Sequence, residues 1–133
     1  MGVGARVQVL AAVALCLAMA VPAGPLGVGS VDHLRLVVVV DNNPGPEGLV
    51  AAWGISIYLE AGNRSVLFDA GPDPGVLAHN LEALGIDPGR VEAVVISHEH
   101  LDHVGGLPAV ARPGLRVYVL AGANPALINW LRN

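Results

Sequence analysis

"VVISHEHLDHVGGL", residues 94–107, is the stretch on which the fold turns. A short β-branched run enters it, and three histidines and an aspartate then fall within six positions, 98–103. The chain has only five histidines in all, so their crowding here asks for a chemical reason. His98, His100, Asp102 and His103 spell H-x-H-x-D-H. Imidazole and carboxylate are the ligands of zinc and its divalent relatives. In an extended segment residues i and i+2 point the same way, so His98 and His100 can grip one ion together. Asp102 and His103 are adjacent and project differently once the chain bends, which suits a second ion nearby. Solvated loop histidines crowded in this way would repel when protonated, and without an ion they have no packing purpose. Gly105 and Gly106 are expected to let the backbone turn tightly behind the ligands.

Working outward, short apolar runs alternate with Gly/Pro turns from His33 onward. Leu34–Val40 is β-branched and nearly continuous, and reads as a strand with both faces covered. Asp41-Asn42-Asn43-Pro44 ends it in a loop. Asp41 and Asn42 are candidates for a substrate-facing loop, with turn-forming Asx residues as the plainer alternative. Residues 55–60 and 65–68 read as two strands joined by the hairpin signal Gly62-Asn63. Residues 74–84 have helical spacing, with Val76, Leu77, Leu81 and Leu84 on one side, Asp73 as cap and Gly85 as stop. Residues 91–96 make a buried strand that leads into the histidines. A short helical piece at 106–111, a strand at 115–120 and a helix over 124–131 follow. Strands first, then strand–helix–strand–loop–strand, predicts a mixed α/β sheet with helices on one face. The apolar strands ask for cover on the other face too, and this chain supplies little of it. His79 reads as a surface or half-buried structural histidine and His33 as solvated; Glu99 reads as an outward-facing charge, with a place lining the substrate site as the alternative, and Trp53 as packing beneath the 41–46 loop, with lining the pocket as the alternative.

The N-terminus is a separate unit. Arg6 precedes the apolar run 9–21, and Ala18 and Ala20 offer an A-x-A-like cleavage site. Residues 1–23 are thus expected to be a signal peptide or an N-terminal membrane anchor through residues 7–21, and 24–32 a linker. A partial domain over 33–133 would then work outside the cytoplasm. Net charge is −4, all seven basic residues are arginine, and no basic run exists, which argues against nucleic acid as a partner. The single cysteine, Cys16, excludes an intrachain disulfide and a cysteine-based zinc site.

The H-x-H-x-D-H motif after a buried strand resembles the signature of the metallo-β-lactamase fold superfamily. Asp41-Asn42, Trp53-Gly54, "LFDAGP" (67–72), "NLEALGID" (80–87) and "VVISHEHLDHVGGL" resemble one branch of it, related to the dihydropterin-methyl-ribofuranosyl-aminobenzene 5′-phosphate synthases. The resemblance implies an α+β sandwich, with this chain as the N-terminal half of a four-layer αββα metallo-hydrolase fold. It implies two divalent metal ions, zinc first and iron or manganese as alternatives. His98 and His100 would hold metal 1, and Asp102 and His103 metal 2. Asp69, the aspartate of the strand-ending D-x-G, would support the metal loop from behind. The implied reaction is hydrolysis of a small-molecule substrate by a water activated between the ions, with Asp102 managing the proton.

The superfamily also uses a third histidine for metal 1, an aspartate bridging both ions and a last histidine for metal 2. After His103 this chain has no histidine and no acidic residue. The expectation is a fragment of a longer hydrolase. The alternative is a metal-binding but catalytically inert half-domain, completed by a partner, a second copy or a missing C-terminal half.

Overall fold

A computed structural model describes residues 30–132. The signal or anchor expected at 1–23, and most of the expected linker, lie outside the described residues. Among the described residues no helix is long and apolar enough to cross a membrane.

The chain forms one five-stranded sheet in the order β1-β2-β3-β4-β5. The strands are β1 (Leu34–Val40), β2 (Ser56–Ala61), β3 (Arg64–Phe68), β4 (Ala93–Val95) and β5 (Arg116–Tyr118). β1 to β3 form an antiparallel meander, whereas β3, β4 and β5 run parallel. The switch follows from the connections. Gly62-Asn63 closes the β2–β3 hairpin, with Gly62 at φ 58° as a two-residue turn requires. β3 and β4 are instead joined through α1 (Pro74–Ala83), a crossover that returns the chain in the same direction. Asp73 caps α1 by accepting from Val76 N at 3.0 Å, and Gly85 leaves it at φ 67°. The mixed sheet expected from the order of elements is therefore the one observed.

One face of the sheet is covered. Val40, Tyr58, Leu67 and Val94 pack with Leu77 and Leu81 of α1 into a single apolar cluster, which Ile96, Leu107 and Val110 extend. Leu127 and Leu131 of α3 (Pro125–Arg132) lean on the same cluster. The other face carries the row Val38–Ile57–Phe68–Val95–Tyr118, residues that are half-buried or exposed. Leu34, Leu36 and Val38 are all exposed, Leu36 at 56%. This corrects the reading of β1 as covered on both faces. The composition suits two-sided cover, but nothing among the described residues lies over the second face of β1. The register also shifts between Val38 and Val40, so Val39 and Val40 are both buried despite being neighbours.

The parallel strands all end at the same sheet edge. The loops leaving β3 and β4 meet there, beside the loop that leaves β1, because β1 and β3 both run antiparallel to β2.

Candidate functional site

The histidine segment leaves β4 in an extended conformation. It then turns into α2 (Leu101–Val104), a single helical turn with His100 as its N-cap residue at φ −68°, ψ 148°. The extended stretch keeps His98 and His100 on one side, with ring centroids 4.7 Å apart. The helical turn swings Asp102 and His103 round, and the His103 ring lies 3.9 Å from that of His98. His103 Nε2 is 3.5 Å from Asp102 Oδ2. The structure thus gathers all four residues of the motif. Among the described residues, however, no group of three or more His, Cys, Asp or Glu side chains already stands as a metal-binding cluster. The donors meet in pairs: ring on ring for His98 with its two neighbours, and nitrogen facing carboxylate for His103 and Asp102.

Asp69 explains how the loop is held. It ends β3 at φ 54°, the left-handed region that aspartate tolerates better than most residues, and it is buried, with 1% exposure. That turn sends its carboxylate back toward β4. Oδ1 accepts from Ser97 N at 2.8 Å, and Oδ2 accepts from Ser97 Oγ and from His103 Nδ1, both at 2.7 Å. Ser56 Oγ donates to the Asp69 carbonyl at 2.9 Å. The supporting role expected for Asp69 thus has a direct geometric counterpart: it binds His103 itself and the residue before His98. Ser97 is the residue that the sequence reading missed. The available signal is a hydroxyl directly preceding the first histidine of the motif, at the mouth of a buried strand.

Backbone bonds fasten the same region. Ala70 N donates to His103 O at 2.7 Å, Gly106 N to Gly71 O at 3.0 Å and Ile55 N to Asp102 O at 3.3 Å. Gly105 and Gly106 have ordinary helical φ values, −59° and −78°, so they are not required by a tight turn. They are required by proximity. A Cβ on Gly105 would meet Pro72 O at 2.0 Å, and one on Gly106 would meet Ala70 O at 1.9 Å. The expectation of a glycine turn is corrected accordingly: the pair lets two loops touch through their backbones.

The β1 loop is built differently. Asp41 Oδ1 accepts from Asn43 N at 2.9 Å, an Asx turn, and Asn42 is exposed. With Val38, Leu49, Val50 and Asn80, Asp41 and Asn43 line a hollow of about 160 Å³ that none of the three clustered histidines lines. Asp41 thus lines a hollow of its own at the sheet edge that the histidines share. His79 is exposed and donates to Gly48 O at 2.8 Å, a structural role. Trp53 is 74% exposed, so it does not pack beneath the loop as expected. The hydrogen bond from Ala52 N to Asp41 O closes the loop just before it and leaves the indole outside.

Comparison with known proteins agrees with this arrangement. Residues 52–114 match the sequence profile described as the Metallo-beta-lactamase superfamily. A ribonuclease of Thermus thermophilus is 46% identical over 69 residues, covering 51% of this chain and 16% of the relative. The 7,8-dihydropterin-6-methyl-4-(beta-D-ribofuranosyl)-aminobenzene-5′-phosphate synthase of Methanocaldococcus jannaschii is 25% identical over 87 residues, covering 62% and 30%. The chain thus spans less than a third of the length of these two curated relatives. In fold it is similar to human tRNase Z, short form, with a TM-score of 0.53 at 21% identity over 73% of this chain and 36% of that one. Proteins of the matched superfamily are of hydrolase type and generally bind divalent metals. Residues 52–114, which carry the histidine loop near their C-terminal end, are thus the part of this chain that matches the metallo-beta-lactamase superfamily.

Proposed function

We propose that the loop 97–106 is the metal-holding part of a metal-dependent hydrolase centre. The observation that carries this reading is the pairing of His103 Nε2 with Asp102 Oδ2 at 3.5 Å, beside two further imidazoles. Nδ1 of His103 donates to Asp69, so in the neutral ring Nε2 is a lone pair facing a carboxylate. A divalent cation between them satisfies both, as would a proton on Nε2. Two donors on one tetrahedral ion with bonds of about 2.1 Å stand about 3.4 Å apart, close to the separation here. Donor types and spacing fit a divalent ion. His98 and His100 would hold one ion, and Asp102 and His103 a second, with zinc the first choice and iron or manganese also suited to nitrogen and carboxylate donors.

A divalent ion bound there supplies Lewis acidity and lowers the pKa of water. This chain's own residues do the rest. Asp69 fixes the His103 ring through Nδ1, so that Nε2 faces Asp102. Asp102, exposed at 29% and at the start of a helical turn, is placed to take up and release a proton. Loop rigidity, set by the bonds to 69–71, keeps the donors in register. The substrate is a small molecule on this reading, which net charge −4 without a basic run favours, and the similarity to a ribonuclease makes nucleic acid the alternative.

A second reading has its own support. Because no three donors converge among the described residues, the loop would hold metal without catalysing until further ligands arrive from a partner or from more chain. The same experiment addresses both. The full chain is dialysed against zinc, iron(II) or manganese(II), its metal content is measured, and H98A/H100A is compared. Metal uptake lost in the double variant supports the centre; uptake unchanged in that variant, or absent from the native chain, overturns it. Hydrolysis by the loaded chain would separate the first reading from the second.

A further inference from the structure

We propose that Ser97 is a positioning residue that decides which nitrogen of His98 carries the ring proton. It does so by keeping the proton on Nδ1 and leaving Nε2 as the free donor. The purpose of this device rests on the metal-centre reading above, but its geometry does not.

The argument is a count of protons. Ser97 Oγ lies 2.7 Å from Asp69 Oδ2. Two oxygens at that distance need a hydrogen between them, and a carboxylate has none to give. Ser97 therefore donates to Asp69. The other claims on the carboxylate agree, since Ser97 N and His103 Nδ1 are both donors to it. The single hydroxyl proton is thereby used. Ser97 Oγ also lies 3.0 Å from His98 Nδ1, and in that contact it can only accept. The proton must then come from the ring, so His98 is protonated on Nδ1. Nε2 is left with its lone pair. The ring of a histidine side chain in water prefers the opposite arrangement, so the Ser97–Asp69 pair reverses an intrinsic preference. Which nitrogen is free is set by the bond that the other makes. One buried carboxylate thus orients two histidines, His103 directly and His98 through a hydroxyl.

The test reads the tautomer itself. The full chain is labelled with ¹⁵N histidine and studied without metal, at a pH about two units above the ordinary histidine value of roughly 6.5, so that the rings are neutral. His98 is assigned by its loss in H98Q. The native chain should show a protonated Nδ1 and an unprotonated Nε2 for His98. S97A should move His98 toward the Nε2-protonated form and weaken zinc binding on the order of 10-fold, while S97T, which keeps the hydroxyl, should preserve both. An Nε2-protonated His98 in the native chain overturns the proposal, as does an unchanged tautomer in a folded S97A. Should S97A fail to fold, the native tautomer decides by itself. A native chain with the expected tautomer that takes up no zinc defeats the metal reading and leaves this one standing.

Discussion

The loops leaving β1 and β4 sit at the same edge of one sheet and are held by opposite means. The 97–106 loop is fastened through backbone. Ala70, Gly106 and Ile55 amides cross to neighbouring loops, two glycines allow contact that no side chain would permit, and Asp69 binds from below. The 41–52 loop is mostly exposed and hangs on one buried side chain. Asn80 Nδ2 donates to Val39 O at 2.8 Å and to Val50 O at 2.9 Å, and its Oδ1 accepts from Val50 N at 2.8 Å. The difference teaches where precision is needed. Histidines that are to share an ion must be fixed to within about half an ångström, and a scaffold of backbone bonds can do that. A loop that only borders the site can be held by one buried side chain, with the exposed His79 bond to Gly48 O and the Ala52 N bond to Asp41 O beside it.

Four substitutions should break or sharpen this contrast. Asp69→Ala leaves Ser97 N, Ser97 Oγ and His103 Nδ1 without their acceptor in a buried place. It should cost on the order of 4 kcal/mol in urea unfolding and should also reduce metal uptake. Gly106→Ala forces a methyl group against Ala70 O and should cost about 3 kcal/mol, read in the same way. Asn80→Ala removes two hydrogen bonds to Val50 of the other loop and one to Val39 of β1, and should cost about 2 kcal/mol while leaving metal content unchanged. A loss of metal in that variant would show that the two loops are not independent. His79→Ala, which removes only the exposed bond to Gly48 O, should change stability by about 0.5 kcal/mol or less.

Much of this was legible in the sequence, for identifiable reasons. Asp73 and Pro74 start α1 and Gly85 stops it because capping is local chemistry, read within a few residues. The histidine cluster was legible because i, i+2 geometry in an extended segment does not depend on the rest of the fold. Non-local facts were not. Trp53 is outside because the Ala52–Asp41 bond closes the loop just before it, a contact that no spacing rule reports. Gly105 and Gly106 are needed by Pro72 and Ala70, over thirty residues away in sequence. Ser97 was overlooked because its function depends on Asp69, which reaches it only once β3 and β4 are paired. Composition shows that the sheet has an apolar second face, but the nearly continuous apolar run of β1 does not show that this face of β1 is uncovered.

The most direct measurement of the central claim is zinc-edge X-ray absorption on the full chain after loading with zinc. The account predicts a shell of nitrogen and oxygen at about 2.0–2.1 Å with imidazole scattering, and loss of that scattering in H98A/H100A. A sulfur shell at about 2.3 Å, pointing to Cys16, or imidazole scattering unchanged in the double variant, would contradict it.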